Sequence, residues 1–152
     1  MQRWMSGADR AHNFWHCPVA QRVVAEMDSE LTAAAALTGR QHTPLVTTDV
    51  WLARPPVGVL PWLWRLSCMV AIAAMDMGRR MACKLQMGRV QHSSAAIGEE
   101  AGRAAMARLW DLFAEAASGR RLPSGQVLQE AQPFLSWDDA VGVWVPKRAT
   151  GA

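Results

Sequence analysis

The stretch MVAIAAMDMGRRMACKLQMGRV, Met69 to Val90, holds five methionines, one cysteine and five charged side chains, four of them basic. Four readings compete for it: a membrane anchor, a sulfur-lined metal site, a groove for a partner, or the inside of a helical domain. Which one holds decides the fold.

The anchor reading takes residues 57–77 as one marginal span. Between Val57 and Met75 the single charge is Arg65. Trp62 and Trp64 would mark one interface, and Arg79, Arg80, Lys84 and Arg89 would hold the other end. Against it, Pro61 and Arg65 fall inside the span, and the unbroken apolar run from Leu66 to Met75 is well short of the ~20 residues a bilayer requires. A run of that length is ordinary for a buried core helix.

Thioether and thiolate ligands select soft ions, but Met75 and Met77 are two positions apart and point to nearly opposite sides of a helix. Met77 and Met81 share a side, and a pair alone is not a site. Methionine ordinarily fills irregular core gaps.

The helical wheel favours the interior. Up to Met75 the segment is apolar all round, which implies burial on every side. Beyond it Met77, Met81 and Leu85 form one stripe and Cys83, Met87 and Val90 another, with Asp76, Arg80 and Lys84 as a ridge between them. Two stripes imply two sets of neighbours, so the segment reads as the central helix of a bundle, opened at Pro61 and running to about His92. A methionine-rich binding groove is the functional variant of the same geometry.

Working outward, a polar turn at His92, Ser93 and Ser94 leads into a helix to about Ser118. One face carries Gly98, Ala101, Gly102, Ala105, Met106, Leu109, Leu112, Phe113 and Ala116, with Glu99 and Arg103 paired at i,i+4 opposite. Gly98 and Gly102 let another backbone approach closely, an arrangement that suits packing within the chain. Upstream, Pro18 opens a helix whose inner face is Ala20, Val23, Val24, Met27, Leu31, Ala34 and Ala35, with Arg22, Glu26 and Glu30 on the other side and Gly39 as its stop. The pattern predicts a shorter helix over residues 6 to 16 before it, with Ser6 as its N-cap.

Residues 39–60 are proline-rich and read as a long loop that packs Trp51, with an extended piece around Leu45 to Leu52. After Pro123 the chain is irregular. A short helix runs from Ser124 to Ala131, Ser136 with Asp139 resembles a capping arrangement for another turn, VGVWVP reads as a short strand, and residues 146–152 form a basic tail. The expectation is a single all-α domain over 1–152: a bundle of four to five helices with an irregular C-terminal segment.

The chain of 152 residues is long enough to bury a core without metals or disulfides. Fourteen arginines stand against two lysines, a skew that fits the codon usage of a GC-rich genome. Eight tryptophans are a heavy load; Trp serves both cores and interfaces. Three widely spaced cysteines with no CxxC pair suit reduced thiols in the cytoplasm, and no secretory h-region opens the sequence.

Candidate chemistry is sparse. Asp9, His12 and His16 lie at i, i+3, i+7 of the first helix and have the donor types of a zinc or iron site. No second motif supports them, and surface histidines on a helix packed through Phe14 and Trp15 are the simpler reading. There is no GxSxG, phosphate loop or GxGxxG, so no catalytic residue and no cofactor is assigned.

Two non-enzymatic readings remain. The first is a helical protein–protein interaction or assembly module, self-associating or binding a protein partner. Trp4, Trp15, Trp137, Trp144, Arg120 and Arg121 are its contact residues, because Trp and Arg dominate interface hot spots. The alternative is a small basic nucleic-acid-binding regulator using Arg79, Arg80, Lys84, Arg89, Arg120 and Arg121, with a helix-turn-helix-like C-terminal half in which the turn SGRRLPSG joins the helix ending at Ser118 to QVLQEA. The net charge of +3 is small for that role, and acids are mixed throughout.

Overall fold

A computed structural model describes residues 17–41, 43–56, 59–87, 93–119, 129 and 131–147. Four helices and one hairpin are defined among them: α1 (Pro18–Leu37), α2 (Thr47–Trp51), α3 (Pro61–Met87), α4 (Ser94–Ser118), β1 (Leu135–Asp138) and β2 (Val143–Pro146). The architecture is a helical bundle carrying a small two-stranded antiparallel sheet.

Helix α1 starts where its sequence says it should. Pro18 occupies the first turn, where its missing N–H costs nothing. Its buried residues are Val19 and the seven expected on the inner face, Ala20 through Ala35. It ends in a Schellman motif: Gly39 N–H donates to Ala36 O at 3.1 Å and Arg40 N–H to Ala35 O at 2.9 Å, with Gly39 at φ 66°.

Helix α4 is capped by Ser93, whose Oγ accepts from the Ala96 N–H at 3.5 Å. Its buried face is Ile97, Gly98, Gly102, Ala105, Met106, Leu109, Phe113, Ala114 and Ala117. Ala101, Leu112 and Ala116 are half-buried, so the stripe is rotated slightly from the expected one. The rotation turns Gly98 and Gly102 onto α1. A methyl group at Gly98 would lie 2.7 Å from Val19 O and 2.8 Å from Arg22 Cβ; at Gly102 it would lie 2.9 Å from Glu26 Cβ. The glycine pair therefore brings two backbones of the same chain together.

Residue numbers on α1 and α4 rise in step through these contacts, through the Arg22–Glu99 ion pair at 3.1 Å, and through the bond from Trp110 to Glu30. The two helices are parallel. Helix α3 runs antiparallel to both, with Gly78 set against Val19 at one end and Ile97 and Ala101 beside it. The core between the three helices is filled by Met27, Leu31, Met75 and Leu109, all essentially inaccessible to solvent.

Four expectations are corrected here. The piece around Leu45 to Leu52 is not extended but contains α2. The Asp49 carboxylate accepts from the Val46 N–H at 3.0 Å and holds the first turn, and a Schellman motif through Ala53 and Arg54 ends the helix. Ser136 caps no helix; it lies in β1, paired with Val145. The C-terminal segment is not irregular over 135–146 but a hairpin, whose second strand is the expected VGVWVP. Its turn is set by Gly142 at φ 71° and by the Ala140 N–H bonded to Asp138 Oδ1 at 2.9 Å.

The fourth correction concerns the opening stretch. Helix α3 is not buried on every side up to Met75, nor walled on both flanks after it. Met75 is fully buried, yet Met69 is 67% exposed, Met77 63% and Met81 49%, and Cys83 is exposed as well. Helices α1 and α4 pack on α3 from one side, and α2 packs on it as well, its Trp51 ring lying under the Arg79 guanidinium. Among the described residues, nothing covers the remaining side. No described helix is long and apolar enough to cross a membrane; residues 57 and 58 of the marginal span at 57–77 lie outside the described residues.

Candidate interaction surface

The uncovered side of α3 continues onto α4 as an open groove of about 360 Å³. Its floor is made of small residues: Ala74 and Gly78 from α3, Ala101 and Ala105 from α4. Val70, Met77 and Met81 form the α3 wall, Ile97 and Ala104 the α4 wall, and Glu100 and Arg108 stand at the rim.

The groove follows from local sequence. Positions 69, 73, 77 and 81 are four apart and fall on one side of α3. There the chain places Met, Ala, Met and Met, where a helix with a solvated outer face would carry charge. On α4 the alanines at 101, 104 and 105 keep the facing surface low. Long flexible thioethers beside a shallow alanine floor make an apolar surface that can repack around different shapes. The charges sit outside it. Arg80 pairs with Asp76 at 2.8 Å, and Arg108 with Glu115 at 3.6 Å.

The residues singled out from sequence are dispersed. Trp137 and Trp144 face each other across the hairpin, with ring centroids 5.5 Å apart and planes at 72°. Trp137 is 49% exposed, and Trp144 is half-buried against the core. The hairpin is fixed at the C-terminal end of α4 by the Trp144 N–H, which donates to Ser118 Oγ at 2.8 Å. The groove uses residues 97–108 of the same helix, so the pair sits roughly 15 Å further along it.

Of the basic set, Arg79 places its guanidinium 5.9 Å over the Trp51 ring, Arg80 is ion-paired as above, and Lys84 is exposed. Trp4, Trp15, Arg89, Arg120, Arg121 and the Asp9, His12, His16 constellation lie outside the described residues, as do SGRRLPSG from Arg120 onward and all of QVLQEA except Gln129 and Ala131. Among the described residues, no group of three or more His, Cys, Asp or Glu side chains is placed to hold a metal ion.

The thiols are separated by environment. Cys17 and Cys68 are buried and Cys83 is exposed. Burial alone pushes the Cys68 thiol up to about 12, which keeps it neutral and poorly nucleophilic.

Sequence alone offers a methionine-rich groove at the Met77 and Met81 stripe only as a variant of a buried helix, and assigns its contact residues elsewhere. The signal was present in the four-residue spacing of Met69, Ala73, Met77 and Met81, but it is also the signal of a buried stripe. No protein-family model, curated protein or solved structure matches this chain.

Proposed function

We propose that the chain is a non-enzymatic helical interaction or assembly module whose contact surface is the α3–α4 face. One observation carries the reading: Met77 and Met81 stand exposed beside an alanine and glycine floor on two long helices. Contiguous apolar surface of that kind, rimmed by charge, marks sites of protein association. The fit is to an α-helix laid along the groove, its apolar side chains entering between the methionines. The free thiols of all three cysteines favour a reducing compartment such as the cytoplasm.

The test uses full-length chain with 13C-labelled methionine methyls. A protein captured from the native host is titrated in, and the methyl signals are followed. The expected result is that Met77 and Met81 shift and broaden while Met27 and Met75 stay in place. Tight, salt-sensitive binding to mixed duplex DNA, with those two methyls unmoved, would replace this reading by the nucleic-acid one.

A further inference from the structure

Resting on the groove reading, we infer that Met77 and Met81 are reversible oxidation sites that close the α3–α4 face to its partner. Hydrogen peroxide converts their thioethers to sulfoxides, and a dithiol reductase restores them.

The fold sorts its sulfur by access. Met27, Met75 and Met106 are shut in the core, whereas Met77 and Met81 stand exposed on the groove wall. Peroxide reaches the second pair without any unfolding. The thioether lone pair attacks one peroxide oxygen, the O–O bond breaks and an S–O bond forms. The other oxygen leaves as hydroxide, takes the proton of the first and becomes water. Sulfur loses two electrons and the peroxide gains them. In the reverse direction a dithiol supplies two electrons, the oxygen departs as water and the dithiol becomes a disulfide.

The groove is poorly suited to a sulfoxide once it is covered. The new oxygen is a hydrogen-bond acceptor and needs a donor. Walls and floor are valine, isoleucine, alanine, glycine and the two methionines. The rim carries Glu100, whose carboxylate only accepts, and Arg108. Gly78 lies beside Ile97 and Ala101, so the antiparallel alignment of α3 and α4 sets Met77 level with Glu100. Arg108 is eight positions further along α4, about 12 Å away, and is paired with Glu115. In the free chain water serves the oxygen. Under an apolar helix no groove side chain does, and an unmet buried acceptor of this kind weakens binding about tenfold or more.

The fold itself is spared. Both side chains already face solvent, so the added oxygen enters water, and the sulfurs at the helix contacts are the sheltered ones. Met69 supplies an internal comparison. It is exposed on α3 too but does not line the groove, so its oxidation leaves binding unchanged.

The test uses full-length chain in a Cys83→Ser background, which removes the exposed thiol. It is oxidised with hydrogen peroxide and freed of the reagent, and sulfoxide at each methionine is confirmed by peptide mass spectrometry. The probe is the host protein whose binding moves the Met77 and Met81 methyls. Its affinity is measured for reduced, oxidised and reductase-treated chain. Oxidation should weaken binding about tenfold or more with helical circular dichroism unchanged, and the reductase should restore it. Met77→Leu combined with Met81→Leu should bind like the reduced chain and ignore peroxide. Met69→Leu should keep the response.

Undiminished affinity with both sulfoxides in place overturns the inference. So does a loss of helical circular dichroism on oxidation, or a loss of affinity that persists in the double leucine variant. Each of these leaves the groove reading standing. A reduced chain whose methyls respond to no protein overturns both.

Discussion

The indole Nε1 of Trp110 donates to the Glu30 carboxylate at 2.6 Å, joining α4 to α1 across 80 positions of sequence. The same ring packs 5.3 Å from Phe134 and edge-on to Phe113 at 6.1 Å. One side chain thus ties the two parallel helices to each other and to the residue that leads into the hairpin. Hydrogen bonds to a charged acceptor contribute about 1.5–3 kcal/mol. Trp110→Phe keeps an aromatic ring and deletes the donor, so urea unfolding should show a loss of about 2 kcal/mol. Glu30→Gln keeps an acceptor and should cost less. Equal stability of Trp110→Phe and the parent would mean the bond contributes nothing.

Gly98 sets how closely α4 approaches α1. A methyl group there meets the Val19 backbone, which cannot yield as a flexible side chain would. Gly98→Ala should therefore destabilise by about 1–3 kcal/mol despite alanine's better helix propensity. Ala107→Ser, on the exposed outer side of α4, should stay within about 0.5 kcal/mol. Both are measured by denaturant midpoint at unchanged slope.

Ala53 occupies the left-handed position of the motif that ends α2, at φ 50°. That conformation costs a residue with a Cβ about 1–2 kcal/mol. Ala53→Gly relieves this and loses about 0.4–1 kcal/mol through the freer unfolded chain. The net expectation is a small rise in thermal midpoint. A fall would show that Ala53 is held there by packing rather than by the turn.

The thiols make a pH prediction. Burial pushes the folded Cys68 thiol up to about 12, against 9.0 for a free thiol. Its folded form holds the proton longer than its unfolded form, so the stability linked to this group is present below pH ~9 and is lost progressively as pH rises toward the folded value. Cys68→Ala should flatten the decline in stability between pH 9 and 11. In the native chain at neutral pH, iodoacetamide should modify Cys83 first and leave Cys17 and Cys68 untouched. Rapid labelling of Cys68 would contradict its burial.

The long amphipathic helices were legible because one period runs unbroken through them. The inner face of α1 was read residue for residue, and the pairs Arg22–Glu26 and Glu99–Arg103 form as expected. Short elements were not. TTDVW has the β-branched composition of a strand, and a carboxylate bonded three residues back turns it into a helix. Ser136 and Asp139 have capping spacing, yet the turn chemistry of Asp138 and Gly142 prevails and makes a hairpin. The largest miss was the burial of α3. Periodicity tells which residues share a side, not how many neighbours the fold supplies to cover it. Met75 and Met77 look alike in sequence, and one faces α1 and α4 while the other faces away from them.

That difference is measurable directly. Dilute full-length chain is dosed with peroxide, and sulfoxide is quantified at each methionine by peptide mass spectrometry. The account predicts rapid oxidation of Met69, Met77 and Met81, near-inertness of Met27 and Met75, and slowing at Met77 and Met81 once a protein partner is bound. If Met77 and Met81 resist oxidation in the dilute chain as strongly as Met75 does, the face is covered by the protein's own fold and the interaction surface does not exist.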